Sequence, residues 1–166
     1  MGLRMDVKAA IEARRSVRSY VAGYKLSDEE LKALMRAAQL APSVKNIQPY
    51  YFIVAVSDRV KKRLSEAAWE ASFIRDASAI FVIVGRPRDS PWYKIDAAIA
   101  GEHIVLQAVE LGLGSCWLTA FSRDLIKSIL DIPPEEDVVA MIAVGKPAEH
   151  PPQVPKKPVE ELFKVI

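Results

Sequence analysis

Residues 93–118 read YKIDAAIAGEHIVLQAVELGLGSCWL, and the interpretation of this stretch decides the fold. Over 93–111 the apolar positions are Ile95, Ala97, Ala98, Ile99, Ala100, Ile104, Val105, Leu106, Ala108, Val109 and Leu111. They predict a helix about 28 Å long at the standard rise. Its apolar residues occupy most of the circumference, and a helix of that kind needs cover on nearly every side. Two arrangements provide such cover: a central helix in a three-layer domain, or a helix buried between subunits. Asp96, Glu102, His103, Gln107 and Glu110 are too many polar groups for a bilayer span. Gly112 suits the left-handed residue that closes a helix, and 115–118 then reads as a short strand. The order helix, glycines, strand, with no third glycine, is the reverse of a dinucleotide-binding fingerprint and excludes it.

Working outward, 50–56 (YYFIVAV), 79–84 (AIFVIV) and 138–144 (VVAMIAV) are continuously apolar and read as strands buried on both faces. Helices are predicted over 6–13, 58–68 and 123–130. A further helix begins at Ser27, whose capping-box partner is Glu30, runs through Leu31, Leu34, Met35 and Ala38, and stops at Pro42. Residues 86–92 form a loop. The segment 145–166 is rich in proline and lysine yet ends on Val159, Leu162, Phe163, Val165 and Ile166. A free linker has no use for such an end, so the tail is expected to dock on its own domain or on a partner subunit.

A chain of 166 residues fits one domain spanning 1–166. A net charge of +2 argues against a nucleic-acid-coating protein. With Cys116 as the one cysteine no intrachain disulfide can form, which suits a reducing, cytoplasmic setting. The charged N-terminus lacks the apolar core of a signal peptide. Gly2 follows Met1, but Asp6 stands where a myristoylation site needs serine or threonine. Neither a membrane nor a nucleic acid is an expected partner.

Three constellations could carry chemistry. Arg14, Arg15, Ser16 and Arg18 bring three guanidiniums and a hydroxyl within five residues, a donor set that matches a phosphate; the alternative is surface charge complementing a helix dipole. Between Pro42 and Pro49 lie Ser43, Asn46 and Gln48, which can read the heteroatom edge of a planar ring, or equally satisfy a polar turn. The third is the run from Gly112 through Leu118, Thr119 and Ala120 to Phe121. His103 and His150 have no metal-ligand spacing, and Cys116 reads as an inert buried thiol. Asp96, among apolar residues, needs a partner. Trp69, Phe73 and Trp92 could line a pocket for a flat ligand, with core packing the expected use of each. No catalytic acid, base or metal site is evident.

Taken in order, R-R-S-V-R after a short helix, A-P-S-V-K-N-I-Q-P-Y leading into a strand, a long helix closing on G-L-G-S-C-W-L, and G-K-P-A-E before a Pro/Lys tail resemble the nitroreductase family over essentially the whole chain. The resemblance implies an α+β sandwich, with a mostly antiparallel sheet flanked by helices, in an intertwined homodimer whose C-terminal arms, here 145–166, cross between subunits. It implies FMN as cofactor, with Arg14, Arg15, Ser16 and Arg18 at the phosphate and ribityl chain. Pro42, Ser43 and Asn46 would reach the flavin from the opposite subunit, with Gln48 supporting them. Leu118, Thr119 and Ala120 would present backbone groups to the ring, and either Lys146 or the Lys156–Lys157 pair would supply a late cation. The implied reaction is ping-pong hydride transfer from NADH or NADPH to an electron-poor small molecule such as a nitroaromatic or quinone, with the chemistry carried by the flavin. Many larger relatives have Glu-Gly where Thr119 and Ala120 stand, and an extra helical excursion absent here. Rival readings are a non-catalytic flavin storage or sensing protein, reductive dehalogenation or flavin breakdown on the same scaffold, and a basic adaptor for a phosphorylated partner or RNA.

Overall fold

A computed structural model describes residues 5–166; Gly2 and the myristoylation reading lie outside them. The helices are α1 (Val7–Ala13), α2 (Asp28–Gln39), α3 (Asp58–Ala67), α4 (Tyr93–Glu110), α5 (Arg123–Leu130) and α6 (Val159–Leu162). The strands are β1 (Tyr50–Ala55), β2 (Ala79–Gly85), β3 (Gly114–Leu118) and β4 (Asp137–Gly145). They form one sheet in the order β1-β2-β4-β3 with every neighbouring pair antiparallel. The α+β sandwich expected from the sequence is the observed architecture.

Alternation along the strands builds two apolar layers. Ile80, Val82 and Val84 of β2 join Met141 and Ala143 of β4 and Leu118 of β3 under α3 and α5. Ala79, Phe81 and Ile83 face the other way, with Ala140 and Ile142, onto α2 and α4. Both faces of the two central strands are therefore covered, which explains their unbroken apolar sequence. β1 differs from its expectation. It is an edge strand, and only Ala55 is fully buried.

The helix ends follow local chemistry. Glu30 N–H donates to Ser27 Oγ at 3.1 Å while Ser27 N–H donates to Glu30 Oε2 at 2.7 Å, so both halves of the capping box are present. At the far end of α4, Gly112 has φ +71, Gly112 N–H donates to Val109 O, and Leu113 N–H donates to Ala108 O. This pairing is a Schellman closure, and it turns the chain directly into β3.

The long helix is not covered all round within one chain. Ala97, Ala100, Gly101, Ile104, Val105 and Ala108 are buried, but Ile95 is 55% exposed and Leu106 and Val109 are half-buried. The tail shows the same incompleteness: Val159, Leu162, Phe163, Val165 and Ile166 are all exposed. No helix among the described residues is long and apolar enough to cross a membrane.

Candidate functional site

The basic segment begins where α1 ends. Arg14 leaves helical geometry, and the chain then runs beside the start of β3, with Val17 N–H donating to Ser115 O at 2.9 Å and Ser16 bridged to Ser115. Val17 packs so closely on Gly114 that a Cβ there would meet its side chain at 2.9 Å. Farther on, Val21 N–H donates to Lys146 O, Ala148 N–H to Ser19 O, and Arg18 N–H to Glu149 Oε1 at 2.6 Å. Residues 14–21 are thus pinned between β3 and the strip 146–149. Arg14 and Ser16 are half-buried and Arg18 is exposed. The Arg15 guanidinium instead turns back, donating to Glu12 O at 2.7 Å and Arg14 O at 2.8 Å. Burial pushes the Cys116 thiol above its ordinary pKa, opposed by the positive charges of Arg18 and Arg14 nearby. Lys146 Nζ stands 5.5 Å over the Tyr24 ring, whereas Lys156 and Lys157 lie on the exposed arm.

The segment 42–48 contains a 3-10 turn, Val44–Asn46, where the sequence predicted only a loop. Lys45, Asn46 and Gln48 adopt φ of +51, +57 and +54. Left-handed geometry at residues with a Cβ costs about 1–3 kcal/mol each and persists only where the surroundings enforce it. Gln48 N–H donates to Ser43 Oγ at 3.0 Å, Asn46 N–H to Ser43 O at 2.9 Å, and Gln48 Nε2 to Asn46 O at 3.2 Å. Val44 N–H donates to Asp96 Oδ1 at 3.2 Å, which identifies the partner that Asp96 needed. Pro42, Asn46 and Gln48 are exposed and Ser43 is half-buried.

At the other end of β3, Leu118 is buried while Thr119 and Ala120 are exposed, and their amides meet no acceptor among the described residues. Trp69 N–H donates to Ala120 O at 3.0 Å and Ser122 N–H to Ala67 O at 2.9 Å, which fixes this end of the strand. Trp69 is 65% exposed and Trp92 52%, so neither serves the core as expected; Phe73 does pack against it. In Trp69 the indole follows a backbone already committed to Ala120, next to Glu70 in left-handed geometry. Composition gives no signal of that constraint.

These groups are not all neighbours. From Gly114 to Leu118 is about 14 Å along the strand, so 14–18 and 118–120 flank a single strand. Asp96, tied to the loop 42–48, sits in the first turn of α4, whereas Gly112 lies beyond its last turn and leads into Gly114 and Ser115, which hold 14–18. Along the helix axis that is about 24 Å. Within one chain the loop and the basic segment occupy opposite ends of α4.

Comparison with known proteins complements this geometry. The sequence model of the nitroreductase family matches residues 11–79 and 66–146. A relative from Archaeoglobus fulgidus, bearing the provisional name NADH dehydrogenase/NAD(P)H nitroreductase, is 34% identical over 148 residues, covering 84% of each chain. Among solved structures, a nitroreductase family protein from Clostridium novyi NT superposes with a TM-score of 0.83 at 33% identity, covering 87% of each chain. An FMN-dependent nitroreductase from Clostridium difficile R20291 gives 0.80 at 30% identity, covering 84% of this chain and 87% of its own.

Proposed function

The chain belongs to the nitroreductase family, and on that premise we propose that it is an FMN-dependent NAD(P)H oxidoreductase acting as a homodimer on electron-poor small molecules, nitroaromatics and quinones among them. The observation that carries this reading is the separation along α4. The loop 42–48 stands at the opposite end of α4 from 14–18, and it leads into edge strand β1 whereas 118–120 end the other edge strand, β3, which supports a second chain as the source of the loop's contacts to a flavin mononucleotide held by 14–18 and 118–120.

The residues present fit that cofactor. Arg14 and Arg18 offer charged, forked donors suited to a phosphate dianion, with Ser16 between them. About one strand's length away, the unengaged amides of Thr119 and Ala120 suit the polar edge of the ring. Pro42, Ser43, Asn46 and Gln48 of the second chain bring neutral groups, so the ring meets hydrogen-bonding partners without a fixed charge. Lys146, or Lys156 and Lys157 on the arm, supplies a further cation near the phosphate. When bound, FMN supplies the redox chemistry, taking two electrons from NADH or NADPH and passing them to the acceptor. The protein's own work is to hold the phosphate, orient the ring and leave one ring face open. The exposed indole of Trp69, beside Ala120, offers a flat apolar surface to an aromatic acceptor.

Dimerisation is supported by the uncovered flank of α4 and by the exposed apolar end of the arm. The outer edge of β1 is also unpaired, a place where an extended segment from a second copy can add. The single free cysteine suits a cytoplasmic location.

The test is direct. Purified protein loaded with FMN is expected to be yellow, and NADH or NADPH to bleach it anaerobically without added flavin reductase. A colour that neither nucleotide bleaches indicates flavin storage or sensing, and failure to take up FMN removes the reading.

A further inference from the structure

Asp96 is the group that the proposed mechanism leaves unused and the fold does not explain. It lies in the first turn of α4 with 1% of its surface exposed, among the apolar side chains of the α2–α4 layer. One oxygen, Oδ1, accepts from Val44 N–H. The other, Oδ2, is buried and finds no donor among the described residues. Burying a carboxylate with half of its acceptor capacity unmet works against folding. A leucine, which has the same branched skeleton, would leave no polar atom unmet in this layer.

What the carboxylate gains is control of the loop. The other hydrogen bonds within 42–48 are local, joining Ser43 to Asn46 and Gln48, Gln48 to Asn46 and Ile47 to Val44, with Tyr50 N–H donating to Gln48 O where the segment enters β1. Among the described residues, the Val44–Asp96 bond is the one that ties the interior of this segment to another element. It attaches a strained, mostly exposed turn to a rigid 18-residue helix. The negative charge is also felt at Tyr50, whose phenol is raised above its ordinary pKa first by burial and then by Asp96.

We propose that Asp96 is the positioning residue for the flavin-contact loop: through Oδ1 it fixes the backbone that carries Ser43, Asn46 and Gln48, and the unmatched Oδ2 is the cost to stability of that role. The proposal rests on the FMN reading above.

The test separates stability from positioning. In Asp96→Leu the unmet carboxylate oxygen is gone and the amide of Val44, a partly exposed residue, turns to water, so flavin-free protein is expected to melt at or above the wild-type temperature. Its FMN affinity falls about tenfold, the effect of one charge-assisted hydrogen bond. Asp96→Asn keeps an acceptor for Val44 and is expected to stay within about twofold of wild type. Hydrogen exchange on flavin-free protein should show Val44 and Gln48 amides opened in the leucine variant and protected in the asparagine variant. Should Asp96→Leu fail to fold, Asp96→Ser, too short to reach Val44, takes its place. Wild-type affinity and exchange in the leucine or serine variant overturn the proposal, as do parallel losses of melting temperature and affinity that asparagine does not restore. If wild-type protein binds no FMN, the functional reading falls, and the exchange pattern still decides the role of Asp96.

Discussion

Arg14 and Arg15 are adjacent in sequence and unlike in surroundings. Arg15 spends its guanidinium on the carbonyls at the end of α1, whereas Arg14 makes no such bond among the described residues. Arg14→Ala is therefore expected to weaken FMN binding by about 1.5–3 kcal/mol, the worth of a charged hydrogen bond. Arg15→Ala should cost the flavin-free fold about 0.5–1.5 kcal/mol and change affinity little. Fluorescence titration with FMN and thermal melts distinguish the two, and unchanged affinity in Arg14→Ala would remove it from the phosphate site. From the sequence the three arginines were indistinguishable, because which of them turns back to cap a helix depends on backbone geometry. Asp96 was legible as an anomaly, a carboxylate on an apolar helix, but its partner lies 52 positions away. Trp69 and Trp92 were misjudged because aromatic character predicts burial on average, whereas exposure here follows from where the backbone is tied.

Elements were far more legible than side-chain roles. For the four strands and for α1 to α5, boundaries lie within a residue or two of those predicted, because period and cap residues act locally, whereas the four-residue α6 was not predicted. The 3-10 turns at Val44–Asn46 and Ser72–Asp76 escaped, lacking a repeat long enough to register. Gly101 illustrates how contact overrides propensity. In an isolated helix, alanine would be favoured over glycine by about 1 kcal/mol. In α4 a Cβ at this position would stand 2.3 Å from Trp117 Cη2 and 2.9 Å from Ile83 Cδ1. The indole is held in place by its Nε1–H, which donates to Glu102 Oε2 at 3.0 Å. Overpacking of that kind costs about 1–3 kcal/mol, so Gly101→Ala is expected to lower stability. A denaturant melt showing a stabilised variant would mean that Trp117 moves aside freely.

At the scale of the molecule, the order of the segments made the fold and family readable, while the unfinished surfaces became visible only in three dimensions. The open flank of α4, the unpaired edge of β1 and the exposed end of the arm are surfaces that one chain leaves uncovered. The placement of the basic segment 14–18 and the loop 42–48 at opposite ends of α4 has a genetic counterpart under the proposed function. Two disabled forms, one carrying Arg14→Ala and the other Ser43→Ala with Asn46→Ala, should rescue each other when unfolded together and refolded as a mixture. Each hybrid pair then concentrates both lesions in one pocket and leaves the other whole, so random reassortment restores about one pocket in four. Activity from the blend above that of either parent is the expected result, and none would mean that each polypeptide builds its pocket alone.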